Sequence, residues 1–315
     1  MMRKPRILTM SSANMDILLR LNAIPRAGET VIEGNDYSYQ PGGKGANAAV
    51  AAARLGADSV FATRLGNDLN GRMLMKFYED NGIDTRFIVS DPDEKTGLAV
   101  VMVEKNGQNR IVVYPGANKN MSPSDADDAL SCLPDALFLQ CEIAQDALIY
   151  ATQRAKSKCI PVFVDAGPAV RDLPLEKLEN VEIFSPNEIE AEAYTGIRPD
   201  TMQNCMKVAL ALQKRTRAKY IVLKLGERGA YVYDGKYYQF VAAYEVKAVD
   251  TTGCGDAFSA AMVLEYLRSG SISRAVEYAN IVGAITVMRA GGAASVPTQK
   301  RVAEFIERNK LDFEL

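Results

Sequence analysis

Short apolar runs of strand length recur along the chain, with segments of helical spacing between and after them. The runs lie at residues 7–10, 60–63, 136–139, 162–164 and 220–223. They are continuous rather than alternating, which is typical of strands buried on both faces of a parallel sheet. Helical spacing is clearest at Ala260, Val263, Leu264 and Leu267 and at Ala275, Tyr278, Ala279 and Val282. Strands alternating with helices predict an α/β fold with a doubly wound, mostly parallel sheet, formed by residues 1–315 as one domain.

Two β-rich runs at residues 97–104 and 108–114 do not fit this alternation, and Asn106-Gly107 between them favours a tight hairpin turn. Neither face of the first run is polar, although a hairpin that projects from an α/β sheet normally exposes one face to water. One face could lie over a ligand and the other against a partner subunit. Alternatively, the hairpin is an edge of the main sheet and packs into its core. Residues 17–21 and 30–40 are further β-like runs that could join the hairpin in a small second sheet.

Composition and charge narrow the functional classes. The chain has 315 residues, 48% of them hydrophobic, and 37 basic against 39 acidic residues give a net charge of −2. This balance gives no reason to expect a nucleic-acid partner or an anionic membrane surface. No apolar stretch approaches the roughly 18 residues that a membrane span needs, and the apolar run after the basic N-terminus is too short for a signal peptide. Five scattered cysteines are typical of reduced thiols, so we expect a cytoplasmic protein.

The chain contains no histidine. This excludes Ser-His-Asp and Cys-His catalysis and the common zinc sites that contain histidine. A general base must therefore be a carboxylate, a lysine, a cysteine or a tyrosine.

The first chemical signal is the turn Gly42-Gly43-Lys44-Gly45-Ala46-Asn47, which precedes an alanine-rich helical segment. Paired glycines before a helix let backbone amides approach a polar ligand. The turn is not a Walker A loop, because Gly45 follows the lysine where serine or threonine is required. A turn that merely enters a helix is the simpler interpretation, but Lys44 and Asn47 add donors that such a turn does not need.

The second signal is Gly253-Cys254-Gly255-Asp256, which opens the predicted helix 257–267. Glycines at a helix N-terminus leave free backbone N–H groups that can bind an anion. Asp256 beside them is either an ordinary capping carboxylate or the base that a phosphoryl transfer needs. A dinucleotide-binding fingerprint is excluded, since no third glycine follows at the required offset.

Polar residues or glycines also follow several predicted strands, where ligands bind in open α/β sheets. Each could serve ordinary turn chemistry, but together they indicate one crevice. The residues concerned are Asn14, Asp16, Glu142, Asn187, Glu190, Gly226 and Gly229.

With these motifs at these spacings, the chain resembles the ribokinase family of carbohydrate kinases from residue 7 to about residue 297. The glycine–lysine turn and Gly253-x-Gly255-Asp256 match the family's two signature regions. The other matching elements are Asn14-x-Asp16, Gly107-Gln108-Asn109-Arg110, Pro115-Gly116-Ala117-Asn118, Gln140-x-Glu142, Pro186-Asn187-Glu188, Leu225-Gly226-x-x-Gly229, Val249-Asp250-Thr251, Gly291 and Ser295-Val296-Pro297.

The resemblance implies ATP-dependent phosphorylation of the 5-hydroxyl of D-ribose to give D-ribose 5-phosphate. A relative acting on another sugar, such as 2-deoxyribose or a fructose-like sugar, or on a nucleoside is the alternative. A sugar-binding regulator without catalysis is a further class, against which the intact Gly-x-Gly-Asp motif argues. The resemblance makes Asp256 the catalytic base and Gly253, Cys254 and Gly255 the anion hole.

The remaining roles also come from the resemblance. Sugar contacts are implied for Asn14, Asp16, Gly42, Gly43, Lys44, Asn47, Glu142 and Asp256. Nucleotide contacts are implied for Asn187, Lys224, Gly226, Gly229, Gly255 and Asn280. Asn187 and Glu190 would hold Mg²⁺ through water, and K⁺ would lie between loops that contain Asp250, Thr252, Thr286, Arg289, Gly291 and Ser295.

Two further features follow from the resemblance. Residues 15–40 and 97–114 become a lid over the sugar, whose second apolar face pairs two subunits of a homodimer. Cys254 replaces the small residue usual between the two glycines. It is either a reactive thiol, with the lowered pKa that a helix N-terminus can give, or a side chain that fills an alanine-sized gap.

Overall fold

The computed structural model describes residues 3–32, 36–105 and 108–315. Its main sheet has nine strands in the order β13-β12-β11-β10-β9-β8-β1-β4-β5. All pairs from β5 to β11 are parallel, and β12 and β13 add an antiparallel hairpin at one edge. These strands are β1 (Arg6–Met10), β4 (Asp58–Gly66), β5 (Asp84–Asp91), β8 (Ala136–Gln140), β9 (Val162–Asp165), β10 (Val181–Ser185), β11 (Tyr220–Lys224), β12 (Ala230–Tyr233) and β13 (Tyr238–Val241).

Helices cover both faces of this sheet, which confirms the predicted doubly wound α/β fold. They are α1 (Lys44–Arg54), α2 (Leu69–Asp80), α3 (Pro123–Ala129), α4 (Gln145–Ser157), α5 (Glu188–Thr195), α6 (Met202–Thr216), α7 (Cys254–Ser269), α8 (Ile272–Val287), α9 (Gly292–Ser295) and α10 (Gln299–Asn309). One core lies between the sheet and α3 to α6, and the opposite face carries α1, α7, α8 and α10. None of the helices within the described ranges combines the length and the apolar composition that a bilayer span requires.

The two β-rich regions outside this rhythm form a second, four-stranded sheet in the order β3-β2-β6-β7. Its strands are β2 (Asn14–Leu21), β3 (Tyr37–Gly42), β6 (Gly97–Glu104) and β7 (Asn109–Tyr114). The alternative of an edge hairpin in the main sheet is therefore wrong. The predicted run 30–40 is shorter in the structure, since residues 30–32 and 36 lie outside any strand. The predicted turn at Asn106-Gly107 lies outside the described residues.

The strand order places the crevice. The chain moves outward from β1 to β4 and β5 on one side, and from β8 to β13 on the other. The carboxyl ends of β1 and β8 therefore lie at the topological switch point, where ligands bind in open α/β sheets. The second sheet begins close to this point, because β2 starts four residues after β1 ends.

Candidate active site

The two glycine-rich turns meet at one point, although they lie about two hundred residues apart in sequence. Asn47, in the first turns of α1, donates from Nδ2 to Oδ2 of Asp256 in the first turn of α7, at 2.8 Å. Lys44 Nζ lies 3.9 Å from Asp256 Oδ1 and 3.9 Å from Glu190 Oε1. One helix therefore supplies a cation and an amide, and the other supplies a carboxylate.

Burial controls the charge of this carboxylate. Asp256 is only 6% exposed. Its burial raises the pKa of the carboxyl group above the ordinary value, although Lys44 and the Asn47 hydrogen bond act in the opposite direction. The negative charge of Asp256 in turn raises the pKa of Lys44, against its own burial, so the lysine stays protonated. A carboxylate with a raised pKa is a stronger base than an exposed one.

Close packing explains why glycines occupy the first turn. A Cβ on Gly42 would lie 2.1 Å from Oδ2 of Asp16. Gly43 has a φ of 91°, and a Cβ there would lie 2.9 Å from the backbone nitrogen of Asn14. No side chain fits at either position, so the backbone can approach Asn14 and Asp16 closely.

The predicted sugar-contacting residues lie together around this turn. Asn14 accepts a hydrogen bond from Asn118 Nδ2 at 2.8 Å. Glu142 Oε2 accepts from the backbone N–H of Lys44 at 3.1 Å and also from the Ser12 hydroxyl. Oδ1 of Asp16 and Oδ1 of Asn47 are buried without a hydrogen-bond partner in the described part of the chain. Buried polar atoms without partners indicate room for a polar ligand.

Asp16 titrates close to neutral pH. Its burial, the negative charge of Glu142 and the negative charge of Asp256 together raise its pKa to about 7. Because the chain has no histidine, this carboxyl group is a candidate for any ionisation of the site near neutrality.

Asn187 and Glu190 form a capping box at the start of α5. The Glu190 backbone donates to Asn187 Oδ1, and the Asn187 backbone donates to Glu190 Oε2, both at 2.8 Å. The other carboxylate oxygen, Oε1, faces Lys44, and a Cβ on Gly167 would lie 2.2 Å from it. The structure therefore brings these two predicted metal-site residues to the edge of the Lys44–Asp256 centre.

The two predicted potassium loops contact each other through Asp250. Its Oδ1 accepts from the Thr252 backbone at 2.9 Å, and its Oδ2 accepts from the Gly291 backbone at 3.0 Å. The hydroxyls of Thr286 and Ser295 instead donate to the backbone oxygens of Val282 and Gly292. In residues 3–32, 36–105 and 108–315, no cluster of three or more acidic or cysteine side chains is close enough to hold a metal.

The predicted nucleotide segment has structural partners of its own. Gly226 and Gly229 lie in the turn between β11 and β12, with φ values of 57° and 106°. A Cβ on Gly229 would lie 2.1 Å from the backbone oxygen of Val241. The Asn280 amide donates to the backbone oxygens of Val241 and Ala242 at 3.2 and 3.1 Å.

Comparison with known proteins identifies the family. The family model of the pfkB family carbohydrate kinases matches residues 4–299. The chain belongs to this family. It is 33% identical to the ribokinase of Staphylococcus aureus, covering 94% of this kinase and 98% of that protein. It is 32% identical to the deoxyribokinase of Salmonella typhi, covering 96% and 99%. Among solved structures, that of Arabidopsis thaliana ribokinase complexed with ribose and ATP superposes with a TM-score of 0.88, at 30% identity and with 99% and 100% of the two chains covered.

One buried carboxylate of this kinase was not identified as a site residue from the sequence. Asp165, at the end of β9, accepts from Lys224 Nζ at 2.6 Å and from the Ser259 hydroxyl at 2.6 Å. Although its burial acts in the opposite direction, Lys224, Lys44 and Ser259 hold the pKa of Asp165 below its ordinary value. The signal was available, since Asp165 directly follows the predicted strand 162–164 as Glu142 closely follows another. Lys224, predicted to contact the nucleotide, is thus an ion-pair partner inside the protein.

The interpretation of Cys254 as a low-pKa thiol is wrong. Its burial and the negative charge of Asp256 raise its pKa to about 11, which outweighs the effect of Lys224. Its Sγ lies 3.6 Å from the backbone oxygen of Gly283, so the side chain fills the gap between α7 and α8.

Proposed function

We propose that this kinase transfers the γ-phosphoryl group of ATP to the 5-hydroxyl of D-ribose, with Asp256 as the general base. The observation that carries the proposal is the meeting of Asp256, Asn47 and Lys44 at the N-termini of two helices. Phosphoryl transfer to an alcohol needs a carboxylate for the attacking hydroxyl and positive charge or backbone amides for the phosphoryl group. These groups converge there.

The sugar lies against Asn14, Asp16, Glu142 and the Gly42-Gly43 turn. Asp256 accepts the proton of the 5-hydroxyl while the oxygen attacks the γ-phosphorus, and Asn47 fixes the orientation of the carboxylate. The backbone amides of the proposed anion hole, Gly253, Cys254 and Gly255, and the dipole of α7 stabilise the charge of the transferring group. Of these amides, that of Cys254 also donates to the backbone oxygen of Thr251 at 3.2 Å. Lys44 lies 3.9 Å from the base and adds positive charge on the same side.

The residues present are compatible with the two metal ions that the family implies. Mg²⁺ prefers oxygen ligands and retains several waters, and Glu190 Oε1 is held at the centre while Oε2 caps α5. When bound, Mg²⁺ neutralises charge on the phosphates of ATP. The joined loops at Asp250 and Gly291 offer backbone and carboxylate oxygens suitable for K⁺. We therefore expect faster turnover in potassium than in sodium chloride at equal ionic strength, and equal rates would remove the potassium assignment.

The second sheet is proposed as a lid that excludes water until the sugar is bound. Asp16 pairs in register with Ala99, so one face of the sheet is continuous with the sugar site. The opposite face exposes Tyr39 by 54% and Val112 by 62%. Such an apolar face supports pairing of two lids in a homodimer. The five free cysteines support a reducing, cytoplasmic location.

A coupled assay of ADP formation with a panel of sugars tests the substrate. We expect the highest kcat/KM with D-ribose, and ATP consumption without sugar should be negligible. The similar identity to a deoxyribokinase makes 2-deoxyribose the second candidate. The panel therefore contains D-ribose, 2-deoxyribose, D-fructose and a nucleoside. Higher kcat/KM with another member would replace ribose, and no sugar-dependent turnover with any of them would overturn the kinase assignment.

A further inference from the structure

A basic cavity of about 330 Å³ lies outside the Lys44–Asp256 centre and shares Arg289 with the predicted potassium loops. It is bounded by the end of α1, by the segment around α9 and by the start of α10. Four cationic side chains line it, namely Arg54, Arg289, Lys300 and Arg301, together with a single carboxylate, Glu304. The whole protein carries a net charge of −2, so this concentration of positive charge is a local feature.

The protein neutralises little of the positive charge of this cavity. In the described ranges, Arg289 and Arg301 have no carboxylate within ion-pair distance. Arg54 donates to the side chain of Asn81 and to the backbone oxygens of Ala293, Ala294 and Val296. Its burial lowers its pKa, and no carboxylate offsets this. The one acidic side chain, Glu304, lies 4.0 Å from Lys300, in a pair that is largely exposed.

The backbone around the cavity adds to this charge. Helix α10 begins at the cavity, and its eleven residues direct the positive end of their dipole towards it. Its first turn carries Lys300 and Arg301 and no acidic residue, whereas acidic residues normally favour that end of a helix. The side chains and the helix terminus therefore favour the same kind of ligand, an anion with more than one negative charge.

We propose that this cavity binds a small phosphate ligand, either a phosphate monoester of sugar-phosphate size or inorganic phosphate. Arginine and lysine donors arranged around a concave surface are the usual recognition elements for phosphate oxygens. The volume lies at the lower end of that of small-molecule sites, so it accommodates a phosphate group with a body of a few carbon atoms.

The position of the cavity connects it to the catalytic centre. Its wall includes Ala294 and Val296, and the same segment contains Gly292. A Cβ on Gly253 of the anion hole would lie 3.1 Å from Gly292 Cα, and a Cβ on Gly292 would lie 3.5 Å from Asn47 Oδ1. A ligand that braces this segment therefore acts on a part of the chain that contacts both catalytic turns.

The test is a calorimetric titration of the full-length protein with inorganic phosphate and, separately, with ribose 5-phosphate. D-ribose and a non-hydrolysable ATP analogue are present at saturating concentration, so that the predicted catalytic centre is occupied. The variant is Lys300→Gln/Arg301→Gln, which keeps good helix formers and the Thr298 cap of α10. Arg289 is left unchanged because it belongs to the predicted potassium loop, and Arg54 because it holds backbone oxygens.

We expect saturable binding of at least one ligand to the wild type, and about tenfold or greater weakening in the variant, because two charge-assisted contacts are lost. The control, Lys207→Gln/Lys214→Gln on α6 across the sheet, removes the same charge and should bind within about twofold of the wild type. The ligand that binds more tightly identifies the source of the phosphate. Unchanged affinity in the variant, equal loss in the control, or no binding of either ligand to the wild type would overturn the proposal. Because binding is measured without turnover, the result does not depend on the proposed reaction.

Discussion

Asp165 and Asp256 are two buried carboxylates in the same crevice, and their surroundings give them opposite properties. Asp165 is 1% exposed and has two direct donors, Lys224 and Ser259, each at 2.6 Å. Asp256 is 6% exposed and has one neutral donor, Asn47, with Lys44 at 3.9 Å. The pKa of Asp165 is lowered and that of Asp256 is raised, so burial alone does not decide the charge state. A direct cationic donor makes the first a structural anion, and its absence leaves the second available as a base.

The largest effect is expected for Asp256→Asn. The amide keeps the size of the side chain but cannot accept the proton, so kcat should fall by roughly 10²–10⁴-fold. Sugar and ATP should still bind, and stability should be kept or increased, since a buried charge is removed. Steady-state kinetics and equilibrium binding measure the two effects separately.

The matched control is Asp172→Asn, which makes the same chemical change at an exposed position. It should leave kcat unchanged. If Asp256→Asn turned over at nearly the wild-type rate, Asp256 would not be the base. The two buried aspartates would then not differ in function in the way proposed.

At Asp165, in contrast, the expected effect of the same substitution is a loss of stability. Asp165→Asn leaves the ammonium of Lys224 in a mostly buried position without its counter-charge, and breaking a buried pair in this way costs about 3–5 kcal/mol. The free energy of unfolding in urea measures this loss. The pKa of Asp165 is lowered in the fold, so its stabilisation is complete above the ordinary carboxyl pKa and is lost as the pH falls through the folded value. The difference between wild type and variant should therefore shrink in acid.

A second variant separates charge from folding. Asp165→Asn/Lys224→Met removes both charges and should recover most of the lost stability, because an apolar side chain replaces the unpaired cation. If the double variant is as unstable as the single one, the ion pair is not the source of the effect.

The contrast also shows how far the sequence could predict this molecule. Continuous apolar runs and helical spacing predicted the main sheet and its helices, because those patterns are local. The two glycine turns were found because each carries its chemistry within a few residues. The position of Asp165 after a predicted strand could have marked it as a candidate, but its role as a structural anion depends on Lys224 and Ser259, which lie 59 and 94 residues away. Which strand ends become neighbours depends on the strand order, and no local pattern contains that order.

Two roles taken from the resemblance stay predictions. Lys224 and Asn280 are expected at the nucleotide, and within the fold their side chains donate to Asp165 and to the backbone oxygens of residues 241 and 242. The run 30–40 was predicted as strand, but of its described residues only those from Tyr37 onward belong to a strand paired with β2, while residues 30–32 and 36 do not. Residue type predicts a preference, whereas partners across the fold decide the outcome.

Asp16 offers a finer test, because its carboxyl group is neither a directly paired anion like Asp165 nor the proposed base, Asp256. Its pKa of about 7 means that the carboxylate is protonated as the pH falls below neutrality. If it accepts a hydrogen bond from the sugar, kcat/KM should decline below about pH 7, by up to about tenfold per pH unit. Asp16→Asn should bind sugar more weakly but lose this limb of the profile. A limb unchanged in the variant would assign the ionisation to another group, such as ATP.

The same group makes a prediction for stability with a defined sign. A carboxyl whose pKa is raised in the fold destabilises the protein once it ionises, so the free energy of unfolding should fall between about pH 4 and pH 7. Asp16→Asn should remove this part of the decline, which urea titrations at several pH values would detect. A decline of equal size in the variant would mean that the ionisation of Asp16 does not cause the loss of stability.

The smallest effect is expected at Cys254, which is half-buried and lies two residues before the proposed base. Its pKa of about 11 leaves little thiolate at pH 8, so alkylation should be roughly 100-fold slower than for a free cysteine of pKa about 8.5. Cys159, which is exposed, serves as the internal reference in peptide mass spectrometry after iodoacetamide treatment. Cys254→Ala should change kcat by less than about twofold, because the anion hole uses backbone amides and not the thiol. Rapid labelling of Cys254, or strong protection of activity from oxidants by Cys254→Ala, would show that the helix terminus outweighs burial at this position.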